Sequence, residues 1–243
     1  LLMRYLVVCS YNGKNYFGWQ KQVDVQTVQG TIEQVLSTYF NQQIIIHGSG
    51  RTDAKVHAIG QTFHFDAPTI DGAKLLYACN KMLPADIKLK TIKKVKADFH
   101  ARFNVKEKVY RYGILLQDKD PFLSDYRLIH PYGFDLARFK SALTLFVGRH
   151  NFSSFTSKPD DEEGFVREIF SIKFKIKNNE VTVDFAGNGF MQGQIRMMIG
   201  TALAIASGRL EEDYIQTRLD NMNRNTTSYK AGGQGLYLIK VKY

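Results

Sequence analysis

The segment Gly48-Ser49-Gly50-Arg51-Thr52-Asp53-Ala54-Lys55-Val56-His57-Ala58 gathers more chemistry than any other stretch of the chain. It holds one carboxylate between two cations, with glycines on the approach. Cations close to a carboxylate lower its pKa and favour the ionised form. An ionised aspartate can act as a nucleophile or as a general base. The same spacing also fits a turn that carries ordinary surface charges, and spacing alone does not separate the two. Two other residues stand out. In Lys108-Val109-Tyr110-Arg111-Tyr112, strand alternation places Tyr110 and Tyr112 on one face and Arg111 on the other. A tyrosine so placed can stack on an exposed base or pack in a core with its hydroxyl satisfied. Arg196 lies in a mostly apolar run, Phe190 to Gly200. A charge buried there needs a partner, for which Asp53 is the natural candidate, unless the side chain reaches water.

These residues need elements to position them, and the apolar pattern supplies an order. Tyr5 to Cys9 reads as a strand, and Asn12-Gly13 as a turn. Thr27 caps a helix whose apolar stripe is Val28, Ile32, Val35, Leu36 and Tyr39. Gln43 to His47 and Gln61 to Asp66 read as strands on either side of the Asp53 segment. A loop between paired strands is held on a rigid scaffold. Asp71 opens a helix that buries Leu75, Leu76, Cys79 and Leu83 and stops at Pro84. Ile87 to Val95 is a further strand.

The order then repeats. Val109 to Leu116 is a strand, and Asp135 caps a helix carrying Leu136, Phe139, Leu143, Phe146 and Val147. Ile169 to Ile176 and Val181 to Ala186 are strands joined by an Asn178-Asn179 hairpin. Phe190 to Ser207 is a helix stopped by Gly208, Glu211 to Met222 a shorter one, and Leu236 to Val241 the last strand. A doubled β-α-β-β-α-β order predicts an α+β chain of two ferredoxin-like halves with antiparallel sheets. The halves are residues 1–106, carrying the Asp53 loop, and 107–243, joined by the polar stretch Asn104 to Lys108. The acidic run Asp160 to Glu163 reads as a solvated loop.

Composition narrows the class. The formal net charge is +10, from 33 basic and 23 acidic residues, which favours a polyanionic partner such as RNA or DNA. Apolar residues make up 44% of the chain, enough for a folded core. The cysteines, Cys9 and Cys79, are too few and too far apart for a disulfide framework, and the histidines show no zinc spacing. No apolar run approaches the ~20 residues of a membrane span. The opening Leu1-Leu2-Met3-Arg4 runs directly into a strand pattern rather than a secretory signal, and a cytoplasmic location is expected by default.

Taken together, the segments resemble the TruA family of tRNA pseudouridine synthases. Gly50-Arg51-Thr52-Asp53-Ala54-x-Val56-His57-Ala58 is the most specific match. Tyr16-Phe17-Gly18-Trp19-Gln20-x-Gln22, Phe99-His100-Ala101-Arg102-Phe103, Tyr110-Arg111-Tyr112, His150-Asn151-Phe152-Ser153-Ser154-Phe155 and Gly235-Leu236-Tyr237-Leu238 follow in the same order. The resemblance runs from about Arg4 to Tyr243. It implies an isomerase that converts uridines 38, 39 and 40 in the anticodon stem-loop of transfer RNA to pseudouridine. It also implies that the sheets line a central RNA-binding cleft, that the enzyme is a homodimer, and that neither cofactor nor metal is used. By the same resemblance Asp53 is the essential carboxylate and Arg51 fills the space left by the extruded nucleotide. Tyr110 packs on the target base, Arg196 is the basic partner of the aspartate, and Leu236 lines the pocket. Thr52 and Lys55 join the substrate-binding set. The chain departs from the family pattern at Lys55, where glycine is usual, at Gln192-Gly193-Gln194, and at Ala231-Gly232-Gly233-Gln234. Those departures bear on which uridines are chosen. The competing readings are the same reaction at another RNA site, an RNA-binding module without catalysis, and a hydrolase built on Asp53. The last lacks a second carboxylate or nucleophile at a recognisable spacing.

Overall fold

Alternation along the first strand, β1 (Met3–Tyr11), sets the architecture of the first half: Tyr5, Val7, Cys9 and Tyr11 are buried on one face. The computed structural model describes residues 2–116, 119–130, 132, 134–158, 164–221 and 225–243. The acidic run 160–163 and the expected helix end at residue 222 lie outside them. The chain is α+β and divides into two compact units, Leu1–Lys106 with Tyr237–Tyr243, and Glu107–Leu236.

In the first unit β1 is followed by α1 (Val28–Phe40), β2 (His47–Gly48), β3 (His57–Ala67), α2 (Gly72–Met82) and β4 (Ile87–Val95). β1 lies between β4 and β3, antiparallel to both, and the short β2 pairs with β3. The helices begin where their caps predict. Thr27 accepts from the Gly30 N–H, and Asp71 from those of Ala73 and Lys74. Each satisfies amides that the first helical turn leaves open.

The apolar stripe of α1 differs from expectation. Tyr39 is exposed, and Gln29 and Glu33 are buried instead. Gln29 Nε2 donates to the Ile46 carbonyl at 3.2 Å and to Glu33 Oε1 at 3.0 Å, and Glu33 Oε1 accepts from the Ile46 N–H at 3.2 Å. The same bonds explain why Gln43–Ile46, expected to be a strand, is not one. The Ile44 N–H and both backbone groups of Ile46 are taken by α1 side chains rather than by a neighbouring strand.

The other face of this sheet is covered by the turn at residues 99–104. His64 Nδ1 accepts from the Ala101 N–H at 3.1 Å, and the Tyr243 hydroxyl donates to the Ala101 carbonyl at 2.9 Å. The last strand, β10 (Leu236–Lys242), runs parallel to β3, with Tyr237 opposite His57 and Leu238 opposite Ala58. That pairing, with the Tyr243–Thr62 hydroxyl contact at 2.6 Å, draws the last seven residues to the first unit.

The second unit contains β5 (Glu107–Leu115), β6 (Leu128–Ile129), α3 (Leu136–Thr144), β7 (Gly148–Asn151), β8 (Val166–Lys177), β9 (Glu180–Gly187), α4 (Gln194–Ala206) and α5 (Tyr214–Asp220). Its antiparallel strands lie in the order β5-β9-β8-β7, and β6 pairs parallel to β5. Asn178 and Asn179 both take positive φ, as a tight hairpin requires. Helix α3 ends at Thr144, three residues short of the Val147 that its apolar pattern includes. The Phe146 and Val147 amides bond three residues back, turning the chain toward β7; Phe146 stays buried and Val147 is exposed. Helix α4 starts at Gln194 rather than at Phe190, because Gly193 adopts φ +75°. Among the described residues no helix is long and apolar enough to cross a membrane.

Burial makes one histidine a titration probe. His64 is held down to about 4 by burial first, then by the charges of His100, Arg4 and His47, with Asp66 opposing. The unfolded chain takes up this proton near pH 6.5, whereas the fold refuses it until about 4. The associated stability is therefore complete above pH 6.5 and lost as pH falls through that window. We expect urea midpoints to drop between pH 7 and 4.5. The drop should be shallower in His64→Gln, which keeps an acceptor but does not titrate; equal slopes in the two proteins would contradict this.

Candidate active site

The Asp53 loop leaves β2 and re-enters the sheet at β3, and both shoulders are tied. The Ser49 N–H donates to the Thr62 carbonyl at 2.8 Å, and the Ser49 hydroxyl to Gln61 Oε1 at 2.7 Å. Gln61 Nε2 returns to the Gly50 carbonyl at 3.0 Å. Gln61 is fully buried, and its amide is used from both ends.

The centre of the loop is gripped by a distant part of the chain, residues 11–20. The Trp19 N–H donates to the Thr52 carbonyl at 3.1 Å, and the Thr52 hydroxyl meets that of Tyr11 at 2.8 Å. The Lys55 N–H reaches the Tyr16 carbonyl at 3.4 Å, and the Gly13 N–H donates to His57 Nδ1 at 3.0 Å. Three glycines permit this closeness. A Cβ on Gly18, which has φ +93°, would lie 2.6 Å from the Thr52 oxygen; on Gly13 it would meet the Val56 carbonyl, and on Gly48 the Trp19 indole at 2.5 Å. Trp19 is buried between Tyr11 and Phe63, ring centres 5.9 and 6.1 Å away.

Asp53 thus sits half-buried at the head of a tight turn, its carbonyl accepting from the Val56 N–H at 3.2 Å. Lys55, two residues on, has φ +65°. This is the left-handed conformation that glycine adopts freely and that costs another residue about 1 kcal/mol. Lys55, one of the departures from the pattern that the sequence resembles, therefore stands where glycine would relax the turn. Arg51 and Lys55 are both exposed. Arg51 Nε donates to Gln20 Oε1 at 3.1 Å, so its guanidinium is oriented by the same 11–20 segment. Arg51, Thr52, Asp53 and Lys55 accordingly share one loop of the first unit.

Tyr110, Arg196 and Leu236 belong to the second unit. Tyr110 on β5 is 7% exposed and meets Phe190 edge-on at 5.3 Å, so it is packed in rather than laid open on the sheet. Arg111, on the opposite face, is clamped by both oxygens of Asp184 at 2.7 and 2.8 Å. Arg196 is half-buried in the first turn of α4 rather than in the middle of a helix. Its Nε donates to the Ala231 carbonyl at 2.8 Å, and the Ala231 N–H returns to the Arg196 carbonyl at 2.9 Å. The neighbouring Gly232 carbonyl accepts from the Tyr112 hydroxyl at 2.7 Å. Burial pushes that hydroxyl's pKa up, and the Arg196 charge pulls it the other way. Gly235 lies against the Tyr112 ring, where a Cβ would come within 2.8 Å. The segment 231–236 and the start of α4 thus form one cluster over Tyr112, ending at buried Leu236.

The unusual Gln192-Gly193-Gln194 stretch has a structural role. Gln194, fully buried, accepts from the Met191 N–H at 2.9 Å and closes the turn ahead of α4. Sequence reasoning about the site missed Tyr11, Gly13 and Gln61. Gln61 gives no distinct signal, because its strand also carries His57, Thr62, His64 and Asp66.

Known proteins carry the same pattern. The model of a family described as tRNA pseudouridine synthase matches residues 7–104 and 142–243. The chain is 38% identical over 236 residues to tRNA pseudouridine synthase A of Anoxybacillus flavithermus, covering 96% of each chain. It is 36% identical over 247 residues to the protein of that name from Streptococcus gordonii, covering 100% of this chain and 99% of the other.

The grip of residues 11–20 on the loop is testable at Gly18. Gly18→Ala should cost about 2 kcal/mol of stability, since it combines a disfavoured φ with a close contact. A wild-type urea midpoint in this variant would show that the contact is not a constraint.

Proposed function

The chain belongs to the tRNA pseudouridine synthase family, and from that premise we propose that it isomerises uridine to pseudouridine in transfer RNA with Asp53 as the essential carboxylate. The observation that carries this reading is the placement of Asp53 on a loop tied at both shoulders and gripped at its centre, so that the backbone bearing the carboxylate is held before substrate arrives. Preorganised charge is the form of catalysis that needs least rearrangement at the moment of reaction.

The reaction exchanges one bond for another. The N1–C1′ glycosidic bond breaks, the uracil turns while still bound, and C5 bonds to C1′. The C5 proton leaves and N1 takes one up, so the product is an isomer and no oxidant or reductant enters. The sugar becomes electron-poor as the bond breaks, and a carboxylate can capture or stabilise it. A uracil within a stem must first be turned out of the stack, which costs a few kcal/mol. On this reading Arg51 occupies the vacated space and Tyr110 packs on the base. Leu236 lines the pocket, and Thr52 and Lys55 hold the RNA close to the loop. Arg196 is the basic residue that the reaction needs alongside Asp53. The substrate uridines are those at positions 38, 39 and 40 of the anticodon stem-loop. The enzyme acts in the cytoplasm as a homodimer, one transfer RNA touching both copies.

Two variants test the assignment. Asp53→Asn should lower pseudouridine formation by about 1000-fold or more while transfer RNA binding survives; near-normal turnover would refute the role of the carboxylate. Arg196→Met should lower kcat by about 100-fold and shift its pH profile. An unchanged rate and profile would remove Arg196 from the reaction.

A further inference from the structure

The Phe99-His100-Ala101-Arg102-Phe103 segment has no part in the chemistry above, yet it is one of the most firmly held turns of the first unit. Arg4 Nη1 donates to the Phe99 carbonyl at 2.9 Å. The Ala101 N–H and carbonyl are taken by His64 and Tyr243. The His100 N–H donates to Asn104 Oδ1 at 2.6 Å, and the Arg102 N–H to His100 Nδ1 at 3.1 Å. All this rigidity presents an apolar ring to water: Phe103 is 69% exposed.

Its surroundings are aromatic and basic. The His100 ring lies 4.3 Å from Phe103, tilted by 32°, and the Arg102 guanidinium is 5.6 Å from the Phe103 ring centre. His100 is packed edge-on against His64 at 4.7 Å, and His47 stacks on His64 at 4.9 Å. Since His64 and His100 each accept a hydrogen bond at Nδ1, their neutral form is the one the turn selects, which leaves an uncharged His100 ring against Phe103 and His64 against His100. His47 is exposed and belongs to β2, the strand that runs directly into the Asp53 loop. A chain of rings therefore leads from the exposed phenylalanine to the root of that loop, within one unit.

We propose that Phe103, backed by His100 and flanked by Arg102, is a stacking platform for an unpaired nucleotide of the RNA, separate from the position of the reacting uridine. The proposal rests on the transfer RNA reading above. A specific protein–protein interface buries about 1,200–2,000 Å², far more than one ring offers, whereas a single aromatic face suffices for a base. The positive balance of the chain, +10, favours the phosphates that accompany such a base.

The test uses the full chain and unmodified transfer RNA transcripts, with Phe103→Ala, Phe103→Leu and Phe103→Trp. Phe103 is exposed, so these changes leave the core intact. Alanine and leucine should each raise Kd and KM about tenfold with kcat at saturation unchanged, and tryptophan should restore wild-type binding. An unchanged Kd in the alanine variant overturns the platform. So does leucine binding as tightly as wild type, because apolar contact would then be enough. A change of sedimenting mass in the alanine variant also overturns it, since the ring would then serve a contact between copies. If the wild-type chain binds transfer RNA but forms no pseudouridine, the reaction proposed above fails, and the Kd comparison still decides the platform.

Discussion

The set of the Asp53 loop centres on one backbone contact, the Trp19 amide on the Thr52 carbonyl. The grip of residues 11–20 on the loop is arranged around it, while Ser49 and Gln61 tie the shoulder. Gly18 lacks a side chain so that the two backbones can meet, Trp19 is buried so that the contact is dry, and Tyr11 fixes the Thr52 hydroxyl. A single amide hydrogen bond contributes about 1 kcal/mol net, too little to hold a loop alone. Here it is one of several between the same two segments, and breaking any one would leave buried groups unsatisfied, which costs more than the bond was worth.

The left-handed Lys55 follows from that arrangement. The turn from Asp53 to Val56 needs positive φ at its third residue, and the chain supplies a lysine where glycine would be relaxed. A non-glycine residue persists in such a conformation only when its surroundings over-determine it, as the grip of residues 11–20 does. The second unit uses a different device. There the 231–236 segment, held by Arg196 and Tyr112, carries Leu236 into β10. Backbone carbonyls rather than a second loop do the orienting.

Much of the fold could be read from residue pattern. The capping residues Thr27, Asp71 and Asp135, the Asn178-Asn179 hairpin and the alternation of Tyr110, Arg111 and Tyr112 are local signals, and local geometry honours them. The errors have two causes, tertiary hydrogen bonds at Gln43 to Ile46 and short-range turns ahead of α4 and at the end of α3 that apolar periodicity does not encode. Gln43 to Ile46 looks like a strand until Gln29 and Glu33 reach its backbone from α1. Gly193 looks like an interior helix residue until Gln194 folds back on Met191. The candidate site was partly legible in the same sense. The Asp53 loop announces itself by composition, whereas the 11–20 segment that holds it shows as its local signal the Asn12-Gly13 turn, which does not point to the loop it touches. The Tyr16-Phe17-Gly18-Trp19-Gln20 motif is visible in the sequence, but its grip on the loop is made largely through backbone atoms and is seen only in the structure.

Native-state amide hydrogen exchange of the RNA-free chain tests the central claim most directly, that the Asp53 loop is ordered before substrate arrives. The amides of Gly13, Trp19, Ser49 and Val56 should exchange as slowly as those of β1 and β3, because each donates into the loop or across it. If those four amides exchange at open-loop rates while β1 and β3 stay protected, the loop is organised only by RNA, and Asp53 is not held in place in advance.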